Sequence, residues 1–297
     1  MSAPLDDIST LEQDAALAEP LRRVAYEAGM MLGLEATRDE QQYHRRRLSR
    51  HQYWLNGYGT LAGMVVSLSP GAHPNDTDSI PVRFDVSPGI GIDGFGREVL
   101  IHEAYGIHLS DWLAAQSSST LREGYSDADD RLWLKVTVRQ KDCAVARQPV
   151  LARKLNLSTD AVQPSRTSDS VLLELTPELP PADDARWSPW ACHPPLPEAL
   201  AALTIAELST LAATGGAERR ALELHARLLH ALDTEGVSIG LLEDELAIGA
   251  RLLLARISIE VTDLDAIVVN PNRISVNNLV RPFLVTPGQL AWLARSP

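Results

Sequence analysis

The stretch IPVRFDVSPGIGIDGFGREVLI, residues 80–101, decides the fold. In its first part, apolar residues alternate with Arg83 and Asp85, as they do in a half-buried strand. GIGI and REVLI alternate in the same way on either side of DGFG, residues 93–96. Aspartate and glycine tolerate the backbone conformations of compact turns. The pattern therefore predicts a hairpin whose structural turn residues are Asp93, Gly94 and Gly96.

A second interpretation of this turn makes Asp93 and Glu98 a carboxylate pair for hydrolysis, or a cation site. Calcium loops, however, need more oxygen ligands in closer alternation than this stretch offers. The glycines of GIGIDGFG also lack the setting of a phosphate-binding loop, because a strand follows them rather than a helix. The hairpin is favoured, and a carboxylate-dependent hydrolase remains an alternative.

Further apolar and alternating runs predict more strands and place the chain in the α+β class. The expected strands lie in TLAGMVVSLSP (60–70), RLWLKVTVRQ (131–140), SVLLELTP (170–177), ARLLLARISIEV (250–261) and LDAIVV (264–269). We expect an antiparallel β core, sandwich-like or barrel-like, with an N-terminal helix and a helical insert.

Capping patterns indicate where helices begin. The expected helix starts are Thr37 with Glu40, Ser110, Thr204 with Glu207, and Thr286 with Pro287 and Gln289. The helix that begins after Thr37 is expected to end near Gly57. These elements divide the chain into an N-terminal segment and helix (1–57), a β-rich core (58–180), a Pro/Trp-rich linker with a helical insert (181–240), and strands returning to the core with a C-terminal helix (241–297).

Composition limits the kinds of partner and compartment. The formal net charge of −12 and the pI near 5.1 argue against a nucleic-acid partner, which requires a basic face. Cys143 and Cys192 are far apart in the sequence, which favours a reducing compartment over a disulfide framework. The N-terminus has no signal-peptide pattern, and no apolar run reaches the roughly 20 residues of a membrane span. We expect a cytoplasmic protein without direct membrane insertion.

The sequence contains no recognised catalytic or metal-binding pattern. We therefore expect no catalytic residue, metal ligand or cofactor. His44 and His51 are seven residues apart on one predicted helix, about 10 Å along its axis, so they are expected to be partly buried and hydrogen-bonded rather than to share a metal. The remaining candidates for a metal-dependent hydrolase have no recognised ligand spacing: His102, Glu103, His108, Cys192 and His193.

Function is therefore expected to reside in surfaces. The interface candidates are Arg45, Arg46, Arg47 and Arg50 on one helix, Trp187 and Trp190 in the Pro-rich segment, and Leu222 and Leu229 in the insert. The arginine run fits an anion patch, a solvated face, or ion pairs between domains or subunits. Exposed tryptophans beside acidic residues would instead indicate a module that binds glycan or cell envelope.

Two segments together resemble an uncharacterised bacterial protein type. The first, residues 26–68, resembles the pattern G-x-L-L…E-x-x-Y-H…H-x-x-L-x-G-x-G-x-x-x-G-L-x-V at Gly29, Leu32, Glu40, Tyr43, His44, His51, Leu55, Gly57, Gly59, Gly63 and Val65. The second is similar to V-x-P-G-x-A-x-D-x-x-G-x-E through Val86, Pro88, Gly89, Asp93, Gly96 and Glu98. PSRTSDSVLLEL and LLLARISIEV with NPNR extend the resemblance over most of 26–178 and 250–284.

Proteins of this type occur among genes for phage-tail-like contractile injection particles. The resemblance implies a non-enzymatic structural or adaptor component, associated with the baseplate, whose partners are other particle subunits, with self-association as an alternative. The chain departs from the type in its helical insert, about 187–235, and in lacking a cysteine-rich stretch.

Overall fold

The structure is a computed structural model that describes residues 23–70, 82–149, 162–180, 200–201, 203–229, 250–264, 267 and 269–294. The chain divides into two compact units, Met1–His51 with Ser188–Gly249 and Gln52–Trp187 with Ala250–Pro297. Helices and antiparallel sheets are both present, which confirms the α+β class.

The described helices are α1 (Leu34–Asn56), α2 (Leu109–Ala114), α3 (Ser118–Arg122), α4 (Ile205–Ala213), α5 (Gly216–Leu229) and α6 (Pro287–Leu293). The strands are β1 (Gly59–Gly63), β2 (Val66–Ser69), β3 (Arg83–Val86), β4 (Gly89–Ile92), β5 (Glu98–Ile101), β6 (Tyr105–His108), β7 (Tyr125–Ser126), β8 (Arg131–Pro149), β9 (Val162–Pro177), β10 (Leu252–Glu260) and β11 (Ile274–Asn277).

The strands form three antiparallel sheets that share one apolar core. Their orders are β1-β4-β5, β2-β3-β6 and β11-β10-β8-β7, with β9 also paired to β8. Alternate residues of each strand point inward, so that Phe84, Ile101, Leu134 and Ile257 are almost fully buried. Among the described strands none closes a barrel, so the barrel-like alternative is wrong.

The run 60–70 is two strands rather than the one that was predicted. Gly63 and Met64 both have positive φ angles, 66° and 54°, which turn the chain out of the first sheet and into the second. A Cβ atom on Gly63 would lie 2.1 Å from the carbonyl oxygen of Pro88, so no other residue fits there. The alternation of side chains could not reveal this turn, because it lies within an apolar run.

A segment far along the chain holds the turn in place. In the C-terminal strap, residues 278–284, the Arg281 guanidinium donates from Nη1 to the carbonyls of Met64 (2.8 Å) and Gly63 (3.2 Å). The Asn278 side chain exchanges two hydrogen bonds of 2.9 Å with the backbone of Val66. The Arg281 guanidinium also donates to the backbone carbonyl and the side-chain oxygen of Asn278, which fixes the geometry of the strap.

The strap also covers the edge of the first sheet. The backbone N–H of Thr60 donates to the carbonyl of Pro282, and that of Leu284 donates to the carbonyl of Thr60, both over 2.9 Å. Thr60 is buried at this contact, and its hydroxyl donates to the same Pro282 carbonyl. The strap thereby pairs both backbone polar groups of Thr60 at the edge of β1.

Two predicted helix starts are correct and two are wrong. Thr204 with Glu207 and Thr286 with Gln289 form complete capping boxes, with Pro287 in the first turn of α6. Thr37 does not start a helix: α1 begins at Leu34, and the Thr37 hydroxyl donates back to the Gly33 carbonyl. Ser110 lies inside α2, whose N-cap is His108 without a side-chain cap.

The expected strand at 264–269 is also wrong where the structure describes it. Residues 264, 267 and 269 carry no strand assignment. The neighbour of β10 on that side is β11, which follows a 3₁₀ turn at Pro271–Arg273. An apolar run packed beside a sheet has the same composition as a strand, so the sequence could not separate the two.

Candidate functional site

The turn between β4 and β5 is a closed ion-pair unit. Gly96 has a φ of 75°, whereas Asp93 acts through its side chain, which is fully buried. Its Oδ1 accepts the backbone N–H groups of Phe95 and Arg97, each at 2.9 Å, and its Oδ2 accepts the Arg97 guanidinium at 2.7–2.8 Å. Burial raises the pKa of Asp93, and Arg97 with the backbone donors acts in the opposite direction.

This geometry gives Asp93 a structural role. Both of its oxygens are engaged inside the turn, and Glu98 points to solvent from the start of β5. A carboxylate pair for hydrolysis needs an accessible base beside its partner, and Asp93 is not accessible. His102, Glu103 and His108 are exposed on the neighbouring segment. Among the described residues no group of three or more histidines, cysteines or carboxylates is arranged to hold a metal.

The arginine run lies on α1 and is partly tied to its own helix. Arg47 donates to the Tyr43 hydroxyl over 2.7 Å, and its guanidinium lies 5.9 Å from the centre of the Tyr43 ring. Arg46 and Arg50 are half-buried, whereas Arg45 and Arg47 are exposed. The four arginines therefore do not form one uniform surface, because neighbouring positions on a helix point in different directions.

The histidine prediction for the same helix is wrong about burial. His44 and His51 are both exposed, together with Leu48 and Leu55 on the same side of α1. Nε2 of His44 lies 3.1 Å from Oε1 of Glu40, one turn earlier, rather than against neighbouring backbone. The other oxygen of Glu40 accepts the backbone N–H of Val24 over 3.0 Å.

Most of the remaining sequence candidates lie wholly or partly outside the described residues. Trp187, Trp190, Cys192 and His193 lie outside the described residues. Leu222 is half-buried on α5, and the side chain of Leu229 lies outside the described set.

The large sheet has a charged outer face that the sequence did not single out. Three glutamates hold cations there: Glu178 holds Lys135 and Arg256, Glu174 holds Arg139 and Arg251, and Glu260 holds Arg131. Lys135 and Arg256 share Glu178 because the strand register makes them direct partners on β8 and β10. Burial acts to raise the pKa of Glu178, but the hydrogen bonds and charges of those two cations outweigh it and lower the pKa.

The most prominent feature that the sequence did not indicate is a two-stranded extension, the β-arm, formed by residues 140–149 of β8 and 162–171 of β9. Pairing of β10 with β8 ends at Leu252 and Val138, whereas β8 and β9 continue as partners to Pro149 and Val162. Ten residues of strand span roughly 30 Å. Every arm side chain that the structure describes is half-buried or exposed.

The β-arm has no third strand beside it among the described residues. Among the described strands, only β8 pairs with β9, and only β9 pairs with the arm part of β8. A ribbon of two strands in water is only marginally stable, and its open edges accept further strands. The pattern of residues 163–170 does not predict a strand, because it includes Pro164 and Asp169, which are residue types depleted in strands.

The chain was compared with known proteins. No protein-family model matches it. No curated protein is significantly similar to it. In the part of the chain that the structure describes, no helix is long and apolar enough to cross a membrane.

Proposed function

We propose that this chain is a non-enzymatic structural or adaptor subunit of a phage-tail-like contractile injection particle, associated with its baseplate. The setting comes from the sequence resemblance across 26–178 and 250–284. The observation that carries the assembly role is the β-arm. In this proposal the chain is made in the cytoplasm and then incorporated into the particle.

The β-arm is suited to bind another protein chain. No third strand among the described residues pairs with either of its strands, so its edges can bind an added strand by β-augmentation. Docking on a partner would bury the exposed side chains, of which Val145 is the largest apolar one, and would add the packing that a lone ribbon lacks. Pro149, Pro164 and Lys141 interrupt or charge the edges, which restricts the register of any added strand.

The rest of the described surface is consistent with a scaffold. Asp93 is enclosed in its turn, and the charged face of the large sheet is neutralised by ion pairs within the chain. These ion pairs are partly exposed, and they link side chains across the sheet. The β-arm extends from this sheet.

The test is affinity capture of the tagged full-length chain from its native cells, followed by mass spectrometry of the co-purifying proteins. The comparison variant lacks the β-arm: an Asn-Gly turn replaces residues 141–170 and joins Gln140 to Val171, which are direct cross-strand partners. Leu290→Ser, an exposed apolar change on α6, is the matched control. Circular dichroism establishes that each variant is folded.

We expect sheath, tube or baseplate proteins to co-purify with the wild-type chain and with Leu290→Ser, and to be lost from the armless variant. Absence of particle proteins from the wild-type capture would refute the assembly role. Full retention by the folded armless variant would refute the role of the β-arm.

A further inference from the structure

Helix α1 carries a heptad repeat. With Leu34 assigned to position a, the seam of a two-stranded coiled coil would consist of Leu34, Thr37, Gln41, His44, Leu48, His51 and Leu55. Three of the four a positions are leucines, and the exception is Gln41. The d positions are all polar. The repeat covers the whole helix from its first residue to its second-last.

The exposed and the buried sides of α1 follow the same repeat. All seven seam residues are exposed, and the exposed fractions of Leu34, Leu48 and Leu55 are 67%, 62% and 78%. Among the α1 side chains that the structure describes, the buried one is Tyr53, which lies at position f, directly opposite the seam. Half-buried Gln42, Tyr43 and Arg46 lie on that opposite side as well. The helix therefore packs by its outer positions and presents the a/d stripe to solvent, the reverse of an ordinary amphipathic surface helix.

We infer that this seam binds the same seam of a second copy of the chain, as a parallel two-stranded coiled coil. The charges beside the seam favour this occupant and this direction. In a parallel pair, a residue at position g faces the residue five places later, at position e, in the other helix. Glu40 at g, which also contacts His44 and the Val24 N–H within its own chain, then faces Arg45 of the second copy, and two-fold symmetry forms this opposite-charge contact twice.

The antiparallel arrangement that overlaps the whole helix is disfavoured by the same side chains. Matching Leu48 to His44 and Gln41 to His51 across an antiparallel seam places equivalent e positions together and equivalent g positions together. Arg45 would then face Arg45 of the second copy, and Arg47 would face Arg47. Four arginines would meet at the centre of the seam, where like charges destabilise the pair.

The composition of the seam predicts a reversible dimer. Leucine at a provides apolar burial, whereas Gln41, His44 and His51 reduce it and restrict the pairing to one register. Association is therefore expected to depend on protein concentration rather than to be permanent. This inference goes beyond the proposed function and does not rest on it, because it concerns contacts between copies of the purified chain.

Disulfide trapping tests the direction of the helices in the full-length chain. Gln41→Cys is introduced into a background with Cys143→Ser and Cys192→Ser. In the parallel pair, position 41 faces itself. In the antiparallel pair it faces position 51, and the two copies of position 41 lie about 15 Å apart, too far for a disulfide. Asp39→Cys, at an exposed f position of the same helix, is the matched control.

Charge reversal tests the contact beside the seam, with dimerisation measured by sedimentation equilibrium. Arg45→Glu places two like-charge pairs in the dimer and is expected to weaken dimerisation about tenfold. Adding Glu40→Arg restores the opposite charges and the affinity. Arg38→Glu is the control, since the facing position is Gly33, which has no side chain.

The expected result is a cross-linked dimer with Gln41→Cys but not with Asp39→Cys, loss of affinity with Arg45→Glu, and recovery in the double variant. A chain that stays monomeric at the highest attainable concentration would overturn the inference. So would equal cross-linking of both cysteine variants, or equal affinity of the Arg45→Glu and Arg38→Glu chains.

Discussion

Arg281→Ala is the substitution that tests most directly how the β core is held together. Arg281 is buried at the C-terminal strap and donates hydrogen bonds to the carbonyls of Gly63, Met64 and Asn278. Burial lowers the pKa of this guanidinium. Alanine removes every one of these donors at once and leaves the carbonyls at the β1–β2 turn without their partner.

The expected loss follows from the number and kind of these hydrogen bonds. A hydrogen bond to a charged group contributes about 1.5–3 kcal/mol, and a buried carbonyl left unsatisfied costs about 1–3 kcal/mol. Contributions within one network are not additive. We therefore expect the free energy of unfolding to fall by about 3–5 kcal/mol, a large share of the 5–15 kcal/mol that is typical of a folded protein.

Urea unfolding followed by circular dichroism measures this loss, and two further variants sharpen it. Arg281→Lys keeps the charge but not the planar fork of donors, so it is expected to recover only part of the stability. Arg273→Ala removes an exposed arginine from the 3₁₀ turn that precedes β11 and is expected to change stability by less than about 0.5 kcal/mol. A loss below about 1 kcal/mol for Arg281→Ala, or the same loss for Arg273→Ala, would show that the strap does not hold the turn.

Three other substitutions test separate parts of the fold by urea unfolding. Asp93→Asn leaves a buried guanidinium without its counter-ion and should lower the free energy of unfolding by about 3 kcal/mol. Glu98→Gln, at an exposed position, should leave the stability unchanged. Equal effects of the two substitutions would contradict the buried ion pair. Gly63→Ala should lower the free energy of unfolding by more than about 2 kcal/mol, because the added Cβ atom would overlap with backbone atoms. Gly215→Ala is the control, since its Cβ atom would lie in open space. A tolerated Gly63→Ala would contradict the tight turn. Because the pKa of Glu178 is lowered in the folded chain, its ionisation stabilises the fold above the ordinary value of 4.5, and this contribution disappears as pH falls through the lowered pKa. The stability difference between wild type and Glu178→Gln should therefore shrink as pH falls below 4.5, and a constant difference would contradict this.

The parts of the fold that sequence could predict depend on neighbouring residues. The capping boxes at Thr204 and Thr286 are complete within four residues, and the strands of the β4–β5 hairpin show in their own alternation. Local chemistry of this kind determines local structure whatever surrounds it.

Other parts depend on residues that are distant in sequence. At Thr37 the predicted cap is absent, because α1 already begins at Leu34, and Glu40 accepts the backbone N–H of Val24, sixteen residues earlier, instead of that of Thr37. The reversal at Gly63 and Met64 is stabilised by Arg281, 217 residues later than Met64. No local pattern contains that information, so one strand was expected where there are two.

The candidate surfaces also depend partly on contacts that no local sequence pattern shows. The run of charges predicts Arg47 as a surface residue. Its contact with Tyr43 and the exposure of Leu48 are visible only in the three-dimensional structure. The β-arm was missed because the outer half of its second strand, which contains Pro164 and Asp169, is held by pairing with β8 rather than by its own preference.

The contact between Thr60 and the C-terminal strap sets the order of events during synthesis of the chain. Its two halves are separated by 222 residues, which a ribosome needs roughly 10–45 s to add. Throughout that interval, β1 has an unprotected edge and the β1–β2 turn has no arginine to hold it. The first sheet is therefore completed only after Leu284 has been translated, and a nascent chain would need a chaperone or rapid elongation to avoid aggregation through that edge.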